Sequence, residues 1–172
     1  MNTAETSMKI PVVRHVLLAL SLLSPGVFAV EVGDTAPLFT LPDIQEGKPA
    51  ISLHDLRGKT VYVDFWASWC APCLRSMPAI NTLYEKYKER GFEVIAINVD
   101  DPIDEGREFL LDTPLDYLIA ADTDNDTLEA FGVTGMPTSF LIDKEGVVRL
   151  VHMGFRERDI EVIESAITAL LD

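Results

Sequence analysis

Two cysteines stand at the junction of two segments with different hydrophobic patterns, and this junction is the strongest constraint on the fold. The segment Thr60–Trp66 is β-branched and aromatic, which is typical of a buried strand. The segment after the cysteines has helical spacing, with one apolar face formed by Leu74, Met77, Ile80, Leu83, Tyr84 and Tyr87. Cys70 and Cys73 are therefore expected where a buried strand meets the N-terminus of an amphipathic helix.

The junction also predicts the reactivity of the two thiols. Unpaired backbone N–H groups and the positive end of the dipole at a helix N-terminus stabilise a thiolate, so we expect Cys70 to be a nucleophile near neutral pH. Cys73 follows one turn later, from where it can attack a mixed disulfide formed at Cys70. Pro72 stiffens the turn and costs no hydrogen bond at this early helical position. The pair is therefore suited to dithiol-disulfide exchange.

Three other uses of a cysteine pair fit the sequence less well. A structural metal site needs about four ligands, and the chain after residue 29 offers the two cysteines with His54 and His152, which lack ligand spacing. Covalent haem attachment needs a histidine directly after the second cysteine, where Leu74 stands. A purely structural disulfide would close a loop of a few residues and restrict the unfolded chain little. We predict a redox-active disulfide, no further cofactor and no metal site.

The N-terminus has the pattern of an export signal. Two basic residues, Lys9 and Arg14, precede an apolar run over residues 16–23, and the small residue Ala29 follows two helix breakers. We expect cleavage after Ala29, which would leave residues 30–172 as one domain in the periplasm or another extracytoplasmic space. The alternative is an uncleaved N-terminal membrane anchor, which is less favoured because a spanning helix needs about 20 apolar residues.

The charge of the expected mature chain limits its partners. Removing residues 1–29 takes away Glu5, Lys9 and Arg14 and leaves 27 acidic and 12 basic residues, a formal charge of −15. Such a surface repels polyphosphates and anionic lipids, so we expect no nucleic-acid partner. Eleven of the acidic residues lie within residues 100–129. This segment is either a solvated face or a docking surface for a basic partner.

Apolar periodicity and turn residues divide the rest of the chain into short elements. Residues 32–56 are turn-rich and indicate a small extended or hairpin-like addition before the first buried strand. After the cysteine helix we expect strands over residues 92–99 and 115–120, helices over 102–111 and 126–131, a hairpin of 139–143 with 147–151, and a closing helix over 159–171. Strands that alternate with helices, followed by a hairpin and a helix, predict an α/β domain with a mixed sheet covered on both faces.

The segment around the cysteines resembles a known family. Residues 63–73, Val-Asp-Phe-Trp-Ala-Ser-Trp-Cys-Ala-Pro-Cys, are similar to the active-site segment of thioredoxins. Residues 33–41 and 132–140 are similar to the N-terminal addition and the cis-proline segment of the exported TlpA/ResA-like members. The resemblance covers residues 31–171. It implies a thioredoxin fold, with a mixed central sheet flanked by helices, an N-terminal extension and a central helix-strand insert.

The resemblance also implies a substrate-binding surface beside the cysteines. Pro137 would follow a cis peptide, which X–Pro bonds tolerate far better than other peptides, and its loop would lie against the disulfide. Met136 would offer backbone groups to an extended substrate, with Thr138 next to it. Trp69, beside the nucleophile, would shape the same surface. The residues alone leave open that Pro137 is an ordinary turn residue and Trp69 a core or rim side chain.

Asp64 is the candidate proton-transfer group. It lies in the middle of the predicted buried strand, where an unpaired carboxylate is costly and its pKa should rise. By resemblance to thioredoxins, which have an acid at this place, Asp64 would assist proton transfer to and from the buried Cys73. A purely structural carboxylate is the alternative. Many ResA-like relatives carry another acid between the cysteines, and this chain differs from them because it has Ala71 there.

The residues between the cysteines bear on the direction of electron flow. Ala71 and Pro72 supply no charge to the Cys70 thiolate, whereas strong oxidants of this class place a histidine there. The resemblance therefore implies a thiol-disulfide oxidoreductase that reduces protein disulfides, including those of apocytochromes c before haem attachment, and is re-reduced by a membrane electron donor. Two alternatives stay open. One is a peroxiredoxin-like peroxidase, which needs an assisted cysteine that residues 67–69 do not provide, and the other is a non-catalytic thioredoxin-like binding module.

Overall fold

The computed structural model describes residues 29–172. The expected signal peptide, or the alternative membrane anchor, therefore lies almost entirely outside the described residues, and cleavage after Ala29 stays a prediction. Within the described residues no helix is both long and apolar enough to cross a bilayer.

A two-stranded ribbon precedes a five-stranded central sheet. The ribbon pairs β1 (Thr40–Leu41) with β2 (Ile51–Ser52) in antiparallel fashion, which confirms the hairpin-like addition expected for residues 32–56. The sheet is formed by β3 (Thr60–Trp66), β4 (Phe92–Asn98), β5 (Leu118–Ala121), β6 (Thr138–Ile142) and β7 (Val148–Met153). Its strand order is β5-β4-β3-β6-β7. β3, β4 and β5 are parallel, while β6 is antiparallel to both β3 and β7, so the predicted mixed sheet is confirmed.

The helices cover both faces of this sheet. Those of the described residues are α1 (Ala71–Tyr87), α2 (Asp104–Asp112), α3 (Asp126–Ala130) and α4 (Asp159–Leu171), with short 3₁₀ turns at Leu53–Leu56 and Lys88–Arg90. Pro72 lies in the first turn of α1, where its missing N–H is not needed. The 3₁₀ turn after α1 ends at Gly91, whose φ of 89° is a conformation that favours glycine.

Alternate residues of β3 face two hydrophobic clusters on opposite sides of the sheet. Tyr62 and Trp66 belong to the cluster on the α1 side, and Val63 and Phe65 belong to the cluster under β1 and β2. The cluster on the α1 side also contains Cys73, Met77, Ile80, Leu83, Ile163 and Ile167. Because successive strand residues point to opposite faces, Asp64 lies on the α1 side together with Tyr62 and Trp66.

α2 and β5 form the helix-strand insert that the resemblance implies. They lie between β4 and α3 in the chain, and β5 pairs in parallel with β4 at the edge of the sheet. Both elements begin later in the sequence than expected. α2 begins at Asp104, and β5 begins at Leu118, the first residue that pairs with β4. Arg107 of α2 donates from Nε to the carbonyl oxygen of Ile44 at 2.8 Å. The insert is thereby joined to the N-terminal addition.

Candidate active site

The two cysteines form a disulfide at the N-terminus of α1, with their Cα atoms 5.3 Å apart. Cys70 is the N-cap residue of this helix, and its Sγ accepts a hydrogen bond from the Cys73 N–H at 3.3 Å. Cys70 is 5% exposed, whereas Cys73 is 0% exposed. Cys70 therefore keeps a small solvent-accessible area that Cys73 lacks.

A tight turn connects the end of β3 to Cys70. The Cys70 N–H donates to the carbonyl oxygen of Ala67 at 3.0 Å, and the Leu74 N–H donates to the carbonyl oxygen of Cys70 at 3.0 Å. The end of β3 is held to the next strand, because the Val99 N–H donates to the carbonyl oxygen of Trp66 at 3.1 Å. The turn thus places Cys70 Sγ at the first N–H groups of α1, where a thiolate is stabilised.

The two tryptophans have opposite environments. Trp66 is fully buried, and its ring centroid lies 5.6 Å from that of Phe109 of α2. Trp69, directly before Cys70, is 66% exposed. A large aromatic side chain left in solvent beside a nucleophile is available to contact a partner. Trp69 is therefore a surface residue, and its contact with a substrate stays a prediction.

The loop before β6 lies at the cysteine end of the sheet. Thr138, the first residue of β6, pairs with Phe65 near the end of β3, so Pro137 extends toward the turn that leads to Cys70. The Met136–Pro137 peptide is cis, as the resemblance implies. The Gly154 N–H donates to the carbonyl oxygen of Pro137 at 2.8 Å and joins the loop to the end of β7.

Met136 and Thr138 differ in what they can offer a substrate. Met136 is half-buried and packs against the cluster that contains both cysteines. Within residues 29–172 its N–H and C=O have no backbone hydrogen-bond partner, so both are free to pair with an extended peptide. Thr138 is buried in β6, and its hydroxyl donates to the carbonyl oxygen of Gly135 at 2.6 Å. Thr138 therefore holds the loop, and its direct contact with a substrate stays a prediction.

Asp64 is a buried carboxyl group on the same side of the sheet as Cys73. It is 3% exposed, and burial raises its pKa to about 7. Burial also raises the pKa of Tyr62 and of Tyr117, and the charge of Asp64 adds to both shifts. The Tyr62 hydroxyl shares a 2.6 Å hydrogen bond with the Ser139 hydroxyl. A carboxyl group with a pKa near 7 takes up and releases a proton at neutral pH, as general acid-base catalysis requires.

Each of the two histidines considered as metal ligands lies near a single carboxylate. His54 is exposed beside Asp55, and Nε2 of His152 lies 3.5 Å from Oδ2 of Asp159. Within the described part of the chain no three His, Cys, Asp or Glu side chains are grouped so that they could hold a metal ion.

One residue beside the site had no predicted role. Asp100 follows β4 and binds Ser68, two residues before Cys70 in the chain. In the sequence Asp100 is one of eleven acids within residues 100–129, and no motif distinguishes it. The sequence signal that points toward this contact is Gly106, because a glycine inside a predicted helix is unfavourable and suggests a packing reason for its presence.

The comparison with protein families decides the classification. The sequence profile of the redoxin family matches residues 31–168. The chain belongs to the redoxin family. Within this family the strand, the Cys-x-x-Cys pair and the cis-proline loop described above correspond to the thioredoxin-like arrangement. The predicted fold class is therefore confirmed.

Curated relatives of this redoxin carry the name thiol-disulfide oxidoreductase ResA. The protein of Bacillus anthracis is 42% identical over 130 residues, which are 73% of this chain and 74% of the relative. The protein of Geobacillus thermodenitrificans is 40% identical over 153 residues, 83% of this chain and 87% of the relative. The protein of Bacillus subtilis is 37% identical over 129 residues, 75% and 71% of the two chains.

The solved structures that resemble this chain include thiol:disulfide interchange proteins. A protein of Chlorobium tepidum described as a thiol:disulfide interchange protein, DsbE, has a TM-score of 0.80 and 44% identity, and the match covers 84% of this chain and 100% of that chain. A second thiol:disulfide interchange protein of Chlorobium tepidum has a TM-score of 0.71 and 27% identity, with coverage of 84% and 100%. Together with the Cys70–Cys73 pair, these matches confirm the predicted ResA-like family and the enzyme class, thiol-disulfide oxidoreductase.

Proposed function

We propose that this redoxin reduces the disulfides of protein substrates outside the cytoplasm, with Cys70 as the attacking thiolate and Cys73 as the resolving thiol. The observation that carries the proposal is the position of Cys70 at the N-cap of α1, where its Sγ accepts the Cys73 N–H. Donors at this position stabilise a thiolate. The complete burial of Cys73 supports a role for it after, and not before, the first attack.

The reaction proceeds in two exchanges. In the first, the Cys70 thiolate attacks one sulfur of the substrate disulfide, the substrate S–S bond breaks, and the other substrate sulfur leaves as a thiolate that takes a proton. In the second, Cys73 loses its proton and attacks Cys70 Sγ. The mixed disulfide breaks, the second substrate sulfur leaves, and the Cys70–Cys73 disulfide closes. Two electrons have then passed from the cysteine pair to the substrate.

Asp64 supplies the proton transfer that the second exchange requires. Cys73 is buried, so its proton has no direct path to water. Asp64 lies on the same side of β3, and its pKa of about 7 allows it to accept a proton at neutral pH. The same carboxyl group returns the proton when the disulfide is reduced again. Many ResA-like relatives have an acid between the cysteines, where this chain has Ala71. In this mechanism Asp64 is therefore the acid that transfers the proton.

The substrate binds as an extended segment across the cis-proline loop. The free N–H and C=O of Met136 pair with the substrate backbone, and Pro137 keeps this edge beside the cysteines. The exposed Trp69 contacts the substrate on the other side of Cys70. Thr138 contributes by holding the loop through its bond to Gly135.

The direction of electron flow follows from what surrounds the thiolate. Neither Ala71 nor Pro72 adds charge beside Cys70, so the two residues between the cysteines add nothing to the stabilisation that the helix terminus gives the reduced form. A weakly stabilised thiolate gives a reducing couple, which needs a membrane electron donor in an oxidising compartment. On the resemblance to ResA proteins, we include among the substrates the Cys-x-x-Cys-His segment of apocytochromes c.

Reduction of insulin by dithiothreitol tests the activity. The wild-type protein should accelerate insulin precipitation well beyond dithiothreitol alone, and Cys70→Ser should not. The proposal fails if the wild-type protein gives no acceleration, and consumption of hydrogen peroxide in its place would favour the peroxidase alternative.

A pair of synthetic peptides tests the substrate class. One contains an oxidised Cys-x-x-Cys-His segment, and the other has the same composition with the histidine moved away from the cysteines. The apocytochrome assignment predicts faster reduction of the first peptide. Equal rates would remove that assignment and leave general disulfide reduction intact.

A further inference from the structure

A buried carboxylate holds the turn that leads to Cys70. Asp100, in the loop after β4, is 1% exposed. Its Oδ2 accepts the Ser68 N–H at 2.9 Å, and its Oδ1 accepts the Ser68 hydroxyl at 2.9 Å. Asn98, the last residue of β4, donates from Nδ2 to Oδ2 of Asp100 at 2.7 Å. The Asp100 N–H in turn donates to Oδ1 of Asn98 at 3.1 Å, so the two side chains hold each other.

These bonds act on the backbone that presents the nucleophile. Ser68 lies inside the turn that the Cys70 N–H closes onto the carbonyl oxygen of Ala67. With Ser68 fixed, Trp69 is directed to solvent and Cys70 Sγ toward the Cys73 N–H. The two carboxyl oxygens of Asp100 accept both the N–H and the hydroxyl of Ser68, so this side chain holds Ser68 at two points.

Helix α2 of the insert closes over the same pair of side chains. A Cβ added to Gly106 would lie 2.6 Å from Nδ2 of Asn98 and 2.8 Å from Oδ2 of Asp100. Real Cβ atoms do not approach other atoms this closely, so only glycine lets the helix backbone cover the pair. Glycine is a poor helix former, and its presence inside α2 is explained by this contact.

We propose that Asp100 is a positioning residue of disulfide exchange. It fixes Ser68 and, through Ser68, the place of Cys70 Sγ at the helix N-terminus. Gly106 leaves the space in which the side chains of Asn98 and Asp100 hold each other. This role rests on the proposed function of Cys70 as the attacking thiol. Under this proposal the helix-strand insert also contributes to the active site, because α2 packs on Asp100, and Asp100 binds Ser68 in the turn before Cys70.

A merely structural role for the same network makes a different prediction. Loss of a structural contact lowers the free energy of unfolding and leaves the reactivity of Cys70 unchanged in the folded protein. Loss of a positioning contact changes the pH dependence of Cys70 alkylation, because Cys70 Sγ moves relative to the N–H groups that stabilise its thiolate.

The test compares Ser68→Ala, Ser68→Thr and Gly106→Ala, each combined with Cys73→Ser so that Cys70 is the only thiol. The rate of alkylation by iodoacetamide is followed from pH 5 to pH 10, and urea unfolding is recorded for every variant. The alkylation midpoint is the pH at which the rate reaches half of its maximum. We expect Ser68→Ala and Gly106→Ala to raise this midpoint by about 0.5 pH unit, which means roughly threefold less Cys70 thiolate at lower pH. Ser68→Thr, which keeps the hydroxyl, should restore the wild-type midpoint.

The matched control is Glu108→Ala, a change to alanine at an exposed position of the same helix. It should leave both the alkylation midpoint and the unfolding transition unchanged. The positioning role is overturned if Ser68→Ala and Gly106→Ala unfold more easily yet keep the wild-type midpoint. Alkylation needs no disulfide substrate, so a failure of the proposed reductase activity would show in the insulin assay of the wild-type protein and would be distinguishable from this result.

Discussion

The N–H of Cys73 donates to Sγ of Cys70 at 3.3 Å, while the side chain of Cys73 itself is 0% exposed. The backbone of the second cysteine therefore supports the thiolate of the first, and its own sulfur is kept from solvent. This asymmetry fits the different roles that the order of the two cysteines at the helix N-terminus predicts for them.

The asymmetry predicts different outcomes for the two serine variants. Cys70→Ser should abolish mixed-disulfide formation with protein substrates, because Cys70 is the cysteine that keeps a small exposed surface and accepts the N–H donor of the helix terminus. Cys73→Ser should accumulate the mixed disulfide, because nothing resolves it. Non-reducing gel electrophoresis after incubation with an oxidised substrate measures both. Faster alkylation of Cys73 than of Cys70 in the reduced wild-type protein at low pH would reverse the assignment.

The central elements could be read from the sequence because their patterns are unbroken. β3 and α4 begin and end at the expected residues, Thr60–Trp66 and Asp159–Leu171, since a continuous apolar run and a regular helical spacing each define their own limits. The insert was less predictable. The start of β5 depends on its pairing with β4, which no local pattern encodes.

The contact between Ser68 and Asp100 was missed for a similar reason. The two residues are 32 positions apart in the chain, and they meet only because β3 and β4 are neighbours in the sheet. Neither residue type is unusual at its place. By contrast, Asp64 could be singled out from the sequence because a carboxylate in a buried strand is costly wherever it occurs.

Asp64→Asn should slow turnover near neutral pH without loss of the fold. The change removes a group that titrates and keeps nearly the same side-chain shape. We expect kcat for insulin reduction to fall by about tenfold or more, and the inflection near pH 7 in its pH profile to disappear. Asp124→Asn, the same change at an exposed loop position, is the control and should keep the wild-type profile. An unchanged profile in Asp64→Asn would return Asp64 to a structural role.

The same variant should be more stable than the wild type at alkaline pH. An acid whose pKa is raised by folding contributes its full stability below its unfolded pKa of 3.8, and the contribution is lost as the pH rises through about 7. Asp64→Asn removes this loss, so its free energy of unfolding should exceed that of the wild type at pH 8 by up to about 4 kcal/mol. Urea unfolding of the oxidised proteins at pH 4 and pH 8 measures the effect. A difference that does not change with pH would contradict it.

The Cys70–Cys73 couple should be reducing, at about −270 mV and far from the strongly oxidising value of about −120 mV. The helix terminus stabilises the Cys70 thiolate only moderately, and the side chains of Ala71 and Pro72 neither donate a hydrogen bond to it nor place positive charge beside it. Less stabilisation of the reduced form makes the couple more reducing.

Pro72→His would add a donor in the first turn of α1 and should raise the potential by at least about 30 mV, a tenfold change in the equilibrium constant. Pro72→Ala controls for loss of the proline ring and should shift the potential less. Equilibration with glutathione at fixed ratios measures all three proteins, and a wild-type value above about −150 mV would overturn the reductase direction while leaving the family and the cysteine pair unchanged.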